Sequence, residues 1–216
     1  MSPLSAKTRA AAVADALRDM IHSGELAPGT PLRQDHLAEQ FGVSSTPVRE
    51  ALSILVRERL VRHDPHRGAV VYPPTAADIR ENFEIRLALE PLATRLAAEH
   101  RTDATVGHLR ELLPALDAAV AAADPVVYAA ADRAFHLAIF AAAKRPQLLE
   151  MIVTLRDATA AWAHLHGSDG IDAALLARLH AQHAQLVDAI ADGDGDRAQA
   201  IAADHVWLTA EGSGAA

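Results

Sequence analysis

Val43-Ser44-Ser45-Thr46-Pro47-Val48-Arg49-Glu50-Ala51-Leu52 reads as the opening of a helix with two different faces. Hydroxyl residues suited to N-caps precede a proline in the first turn, where its missing N–H costs nothing. Val48, Ala51, Leu52 and Leu55 then recur at helical spacing and face inward through Val56. Just before it, Gln34 to Phe41 carries Leu37 and Phe41 one turn apart and stops at Gly42. Two short helices around a glycine-containing turn make a helix-turn-helix whose second helix is the reading helix. Upstream, Val13, Leu17, Met20 and Ile21 mark a helix over Ser5 to His22, closed at Ser23-Gly24 by a left-handed glycine. A turn through Pro28-Gly29-Thr30-Pro31 joins the first two helices. Downstream, Leu60-Val61-Arg62-His63 and Ala69-Val70-Val71-Tyr72 are β-prone runs around Asp64-Pro65-His66-Arg67-Gly68, which predicts a hairpin with a basic tip. Three helices and a hairpin read as a winged helix-turn-helix.

Tyr72-Pro73-Pro74-Thr75 interrupts the pattern and marks a boundary, because proline removes a donor and drives the residue before it to extended geometry. Thr75 and Asp78 then resemble a capping box opening a helix to about His100. Further helices are expected at about 103–122, 125–143, 146–166, 171–191 and 195–211, six in all, forming an antiparallel bundle. The expected organisation is therefore a DNA-binding domain over 1–74, a helical domain over 75–211 and a flexible tail over 212–216.

Composition agrees with a mainly α chain, since 49 of the 216 residues are alanine, the best helix former. The length is enough to bury about two-thirds of the unfolded surface. With no cysteine, disulfide scaffolds, zinc ribbons and thiol enzymes are excluded. No apolar run is long enough to span a bilayer and no leader is evident, so a cytoplasmic protein is expected. Residues 1–74 carry nine Lys+Arg against eight Asp+Glu, while the remainder carries eleven against twenty. Within that first part, Arg49, Arg57, Arg59, Arg62 and Arg67 gather in 19 residues. The cluster is either a nucleic-acid footprint or a solvated helix face beside a charged turn.

The order and identity of these residues resemble the GntR family of bacterial transcription regulators. The resemblance runs through Ile21 to Gly29, Leu37-Ala38, Gly42-Val43-Ser44 and Thr46 to Leu52. It implies that the stretch Ser44, Ser45, Thr46 and Arg49 meets DNA from the reading helix, and that Arg67-Gly68 enters the minor groove from the wing. Arg49 can fork onto guanine O6 and N7 or clamp a phosphate. Two departures remove positive charge from this face: Ser45 and Asp35 stand where the family commonly has arginine. They are expected to alter the operator sequence and weaken affinity without abolishing binding.

In the second part the suggestive residues are polar ones on apolar stripes. Asp132 and His136 stand at i and i+4, so they meet on one helix face; His183 and His205 lie on two later helices. Four such ligands converging in a bundle suit Zn²⁺, Ni²⁺ or another first-row ion, whereas dispersed they would be hydrogen-bonded core residues. From about Asp78 to His205 the chain resembles the FCD domain of the FadR-type subfamily. Metal-binding members of it carry an Asp and a His one turn apart, a His some fifty residues on and another about twenty later. All four positions are filled here. Arg86 is either ion-paired with Glu90 one turn on or, as the resemblance implies, a clamp for the carboxylate of an organic-acid effector. His180 would orient a ligand or contact the effector. His100, His108, His164 and His166 read as surface residues, and Trp162 and Trp207 as core or interface aromatics.

The function these features imply is a ligand-responsive, homodimeric transcription regulator, a repressor, bound to double-stranded operator DNA and tuned by a small carboxylic acid at a metal site. The alternative is a metal-dependent hydrolase or lyase built on the bundle, although no helical H-E-x-x-H and no separate base is evident. A purely structural metal clip is the third reading.

Overall fold

The computed structural model describes residues 8–122, 124–163 and 173–212. It divides into two compact units. The first takes the described residues up to Thr75 and the end of the seventh helix from Asp157 on; the second takes Ala76–Arg156 and the last two helices.

The first unit holds α1 (Arg9–His22), α2 (Gln34–Phe41), α3 (Ser45–Arg57) and the hairpin β1 (Val61–Asp64) and β2 (Gly68–Val71). Thr8 caps α1 by accepting from Ala11 N at 3.2 Å, so the expected start at Ser5 lies outside the described residues. Gly42, at φ 63°, closes α2. Ser44 holds the extended N-cap conformation of α3, yet its hydroxyl makes no capping bond, contrary to the expectation for this turn. Pro47 explains part of this: it sits at the third helical position, where its ring nitrogen has replaced one of the two N–H groups a cap oxygen uses.

Val48, Ala51, Leu52 and Leu55 are buried as their spacing requires, against Val13, Leu17 and Ile21 of α1, which packs on α3. Arg18 grips the end of α3, forking onto Glu58 at 3.0 and 2.7 Å while also reaching Asp15 at 2.6 Å. The strands start and end one residue from the expected positions, pairing Val61 with Val71 and Asp64 with Gly68. The turn before α2 supplies a third rung: Leu32 N donates to Ala69 O at 2.8 Å and Val71 N to Thr30 O at 3.0 Å, and Pro31 bridges Val70.

The second unit consists of α4 (Ala76–Glu99), α5 (Asp103–Ala122), α6 (Pro125–Ala142), α7 (Pro146–Ala163), α8 (Ala173–Asp192) and α9 (Gly195–Gly212). Asp124 starts α6 by accepting from Val126 N and Val127 N, with Pro125 following at the position that tolerates a missing N–H. Residues 164–166 and 171–172, expected to be helical, lie outside the described residues, as does 213–216 of the expected tail; Gly212 is the last residue of α9. In the core α4 packs on α6, α8 and α9, and α5 on α6 and α8. Phe135, Ile139, Phe140, Ile152, Leu109, Leu116, Leu186 and Ile190 fill the space between them. Alanines such as Ala93, Ala97 and Ala98 are fully buried there, which lets helix backbones approach closely.

Leu55 is completely buried, so Leu55→Ala should destabilise the first unit by about 2 to 5 kcal/mol. Ser53→Ala on the exposed face of the same helix should stay within about 0.5 kcal/mol. Urea unfolding followed by circular dichroism measures both.

Candidate functional site

The second unit brings Asp132 and His136 on α6, His183 on α8 and His205 on α9 together. One ligand atom from each lies within 4.8 Å of all the others. His136 Nε2 is 3.1 Å from His205 Nε2 and 3.4 Å from Asp132 Oδ1, and His183 Nε2 is 3.3 Å from the same oxygen. Ligand bonds of about 2.1 Å set donor–donor edges of about 3.0 to 3.4 Å in octahedral or tetrahedral coordination, and these three separations fall on that scale. His183 is fully buried, but neither of its ring nitrogens has a hydrogen-bond partner. Its approach to Asp132 has the distance of a polar contact without the alignment of a hydrogen bond. Orphaned buried nitrogens are costly, and a cation among the four residues would satisfy the Nε2 side. The donor set therefore fits a divalent ion.

The surroundings favour the neutral form of His136 and His205. Gln182 Oε1 lies 3.0 Å from His205 Nδ1; a carbonyl oxygen can only accept, so Nδ1 carries the proton and Nε2 presents its lone pair inward. Phe135 stands edge-on to His183 at 5.0 Å, and Phe140 stacks on His136 at 5.9 Å. Burial pushes the His136 pKa down to about 4 against the pull of Asp132. Burial and the other two imidazoles hold His205 well below the usual histidine range. For Asp132, burial acts to raise the pKa, but the close imidazoles of His136 and His183 and the Arg156 guanidinium together hold it well below the usual carboxylate range.

Arg156 on α7 is the contribution that the sequence did not suggest. Its guanidinium reaches Asp132 Oδ2 at 2.8 Å and Glu90 Oε2 at 3.0 Å. Glu90 Oε1 in turn accepts from Arg86 Nε at 2.6 Å. Arg86 and Glu90 are both buried, so the ion pair weighed for Arg86 is present, and it continues through Arg156 to the Asp132 carboxylate. The only sequence signal for Arg156 was a charged residue on a largely apolar helix. His180 is not one of the four converging residues: its Nε2 pairs with Asp117 at 2.8 Å, and the side chain that orients a ligand is Gln182. His100 is not a free surface residue either, because its Nδ1 meets Ala143 O at 3.2 Å. Trp207 is half exposed, with Nε1 donating to Glu211 Oε1 at 3.2 Å, so it is no core aromatic. His164 and His166 lie outside the described residues, as does the Trp162 side chain.

In the first unit Ser44, Ser45, Thr46 and Arg49 are all exposed, on the side of α3 opposite its buried stripe. Arg67 and Gly68 are exposed at the hairpin tip. Asp64 Oδ1 shapes that tip, accepting from His66 N at 2.8 Å and Arg67 N at 2.9 Å, and Gly68 takes the positive φ of 73° that closes it. Those two backbone donors, His66 first, hold the Asp64 pKa below its ordinary value despite the small opposing effect of burial. Among the described residues no helix is long and apolar enough to cross a membrane.

Comparison with known proteins places both units. The family model described as "Bacterial regulatory proteins, gntR family" matches residues 9–71, and that of the FCD domain matches residues 81–207. The transcriptional regulator LutR of Bacillus subtilis is 31% identical, over 87% of this chain and 93% of its own. A probable D-xylose utilization operon transcriptional repressor of Paenarthrobacter nicotinovorans is 32% identical, over 94% of this chain and 88% of its own. The solved structure of E. coli McbR/YncC superposes with a TM-score of 0.80 at 29% identity, covering 94% of this chain and 96% of that one. Proteins of this kind are transcription regulators and not enzymes, so the hydrolase or lyase alternative falls away. A helix-turn-helix with a two-stranded wing, followed by an all-helical FCD domain, identifies the chain as a member of the GntR family of DNA-binding transcription regulators, of the FadR type.

Proposed function

We propose that this regulator is a cytoplasmic homodimeric repressor whose grip on operator DNA is set by a small organic acid bound at a metal site in its helical unit. The convergence of Asp132, His136, His183 and His205 within 4.8 Å carries this reading. In it, residues 1–74 bind DNA and residues 75–211 bind effector and dimerise. Ser44, Ser45, Thr46 and Arg49 contact the major groove and its flanking phosphates, and Arg67 with Gly68 enters the minor groove. A second copy is needed because one short reading helix covers only half of an operator. The repressor assignment is supported by the name of the xylose-operon relative.

Zn²⁺ or Ni²⁺ suits three imidazoles and one carboxylate, and when bound such an ion supplies a positive centre at which an effector oxygen can dock. Asp132 and the three histidines hold it. Arg86, kept in place by Glu90, faces the effector carboxylate in this reading, and His180 contacts the effector from one turn before His183. Effector binding changes operator affinity only by the difference in its affinity for two arrangements of the protein, typically about 1 to 3 kcal/mol.

Gel-shift titration on the protein's own promoter region tests the DNA assignment. Salt-sensitive, sequence-dependent binding is expected; its absence would reject a regulator reading of this site. Arg49→Ala should cost about 1 to 3 kcal/mol, and loss of a phosphate contact should lower the salt slope by about one. His183→Ala and His205→Ala should each abolish stoichiometric metal in elemental analysis while leaving most of the helical signal; unfolding on metal removal would instead indicate a structural clip.

Acid should weaken the metal-free protein. His136 has a folded pKa of about 4, below its unfolded value of 6.5, so between those values the unfolded chain binds the extra proton and stability is lost as pH falls. Asp132, held well below its ordinary value, acts in the same direction at lower pH. His205, also held well below its ordinary value, acts in the same window, so the thermal midpoint without metal should drop between pH 7 and pH 5, and drop less steeply in His136→Asn.

A further inference from the structure

An ion among the four ligands leaves one polar atom of α6 unexplained. Tyr128 Oη is buried and has no hydrogen-bond partner. The residue stands one turn before Asp132, on the same face of α6, and within electrostatic reach of Asp132 and Arg156. Asp132 is not its acceptor: Oδ1 faces His136 and His183, Oδ2 accepts from Arg156, and the phenol bonds to neither. Burial, reinforced by Asp132, raises the phenol's pKa, so it stays a donor. A buried O–H needs an acceptor, and none of the described residues supplies it.

The charges around it give the acceptor's nature. Arg86 and Arg156 are balanced by Glu90 and Asp132 in one connected network, and imidazoles that ligate a metal are neutral. A divalent ion therefore adds two positive charges to four charges, Arg86, Arg156, Glu90 and Asp132, that already cancel one another, beside the rings of Phe135 and Phe140 packed on His183 and His136. Burying uncompensated charge is expensive, and the missing charge has to arrive with the ligand.

We propose that the effector is a dianion that places one anionic oxygen on the ion and accepts a hydrogen bond from Tyr128 with another. This rests on the metal-dependent effector reading above and narrows it from any small acid to one with two ionised groups, with Tyr128 as a specificity-determining residue.

Calorimetric titration of the Zn²⁺-loaded protein at constant ionic strength and pH 7.5 tests it. The probes are malonate, succinate, malate and phosphate as dianions, against acetate and lactate as monoanions. At least one dianion should bind tenfold or more tighter than either monoanion, and Tyr128→Phe should reduce that affinity about tenfold. Zinc content and the thermal midpoint of the zinc-free variant should match wild type. Metal-dependent binding of acetate or lactate as tight as that of every dianion, or unchanged dianion affinity in Tyr128→Phe, would overturn the inference while leaving the effector site standing. If no probe binds the zinc-loaded protein, both fall together.

Discussion

Arg156 is the pivot of the helical unit. A carboxylate as buried as Glu90 needs compensation, and Arg156 helps supply it at 3.0 Å while binding the half-buried Asp132 at 2.8 Å with the same guanidinium. Three helices, α4, α6 and α7, are thereby tied by charge-assisted bonds rather than by apolar contact alone. Removing one member leaves a buried partner charge uncompensated, the costly way to break such a network. The same bond leaves Asp132 Oδ1 directed at His136 and His183, which is what makes the carboxylate a usable one-oxygen ligand.

That arrangement explains why His136 and His205 stay neutral. Burial works against imidazolium at His136 and His205, and Arg156 adds to it, while Asp132 pulls the other way. Burial wins at both residues. Neutral imidazole is the form able to ligate a metal. Gln182 fixes which nitrogen of His205 carries its proton.

The first unit meets its own demand differently. A reading helix must expose polar residues without losing its anchorage, and α3 does so by confining Val48, Ala51, Leu52 and Leu55 to one stripe while Arg18 fastens its end through Glu58. The wing is stiffened by the rung at Thr30 to Leu32 and by Asp64 at its tip. Arg67 is thus displayed on a shaped turn rather than on a loose loop.

Much of this was legible from residue order. Periodicity identified the buried face of α3, the punctuation at Gly42 and Asp124-Pro125 set helix ends, and the resemblance to the FCD domain, rather than spacing alone, singled out Asp132, His136, His183 and His205 as candidate ligands. These features are local: a helical repeat, a cap or an i,i+4 pair is decided by neighbours in the chain. What the sequence hid is non-local. The role of Arg156 depends on Glu90, 66 positions away, and that of Gln182 on His205, 23 positions away; the third rung of the wing joins segments that read as a turn and a strand. Only packing brings such groups within hydrogen-bond distance, because the pairing is dictated by which helices the apolar stripes press together and not by any pattern along a single one. The chain's order therefore settled its elements, its family resemblance and its candidate ligands, while the tertiary structure decided how those ligands are charged, oriented and linked.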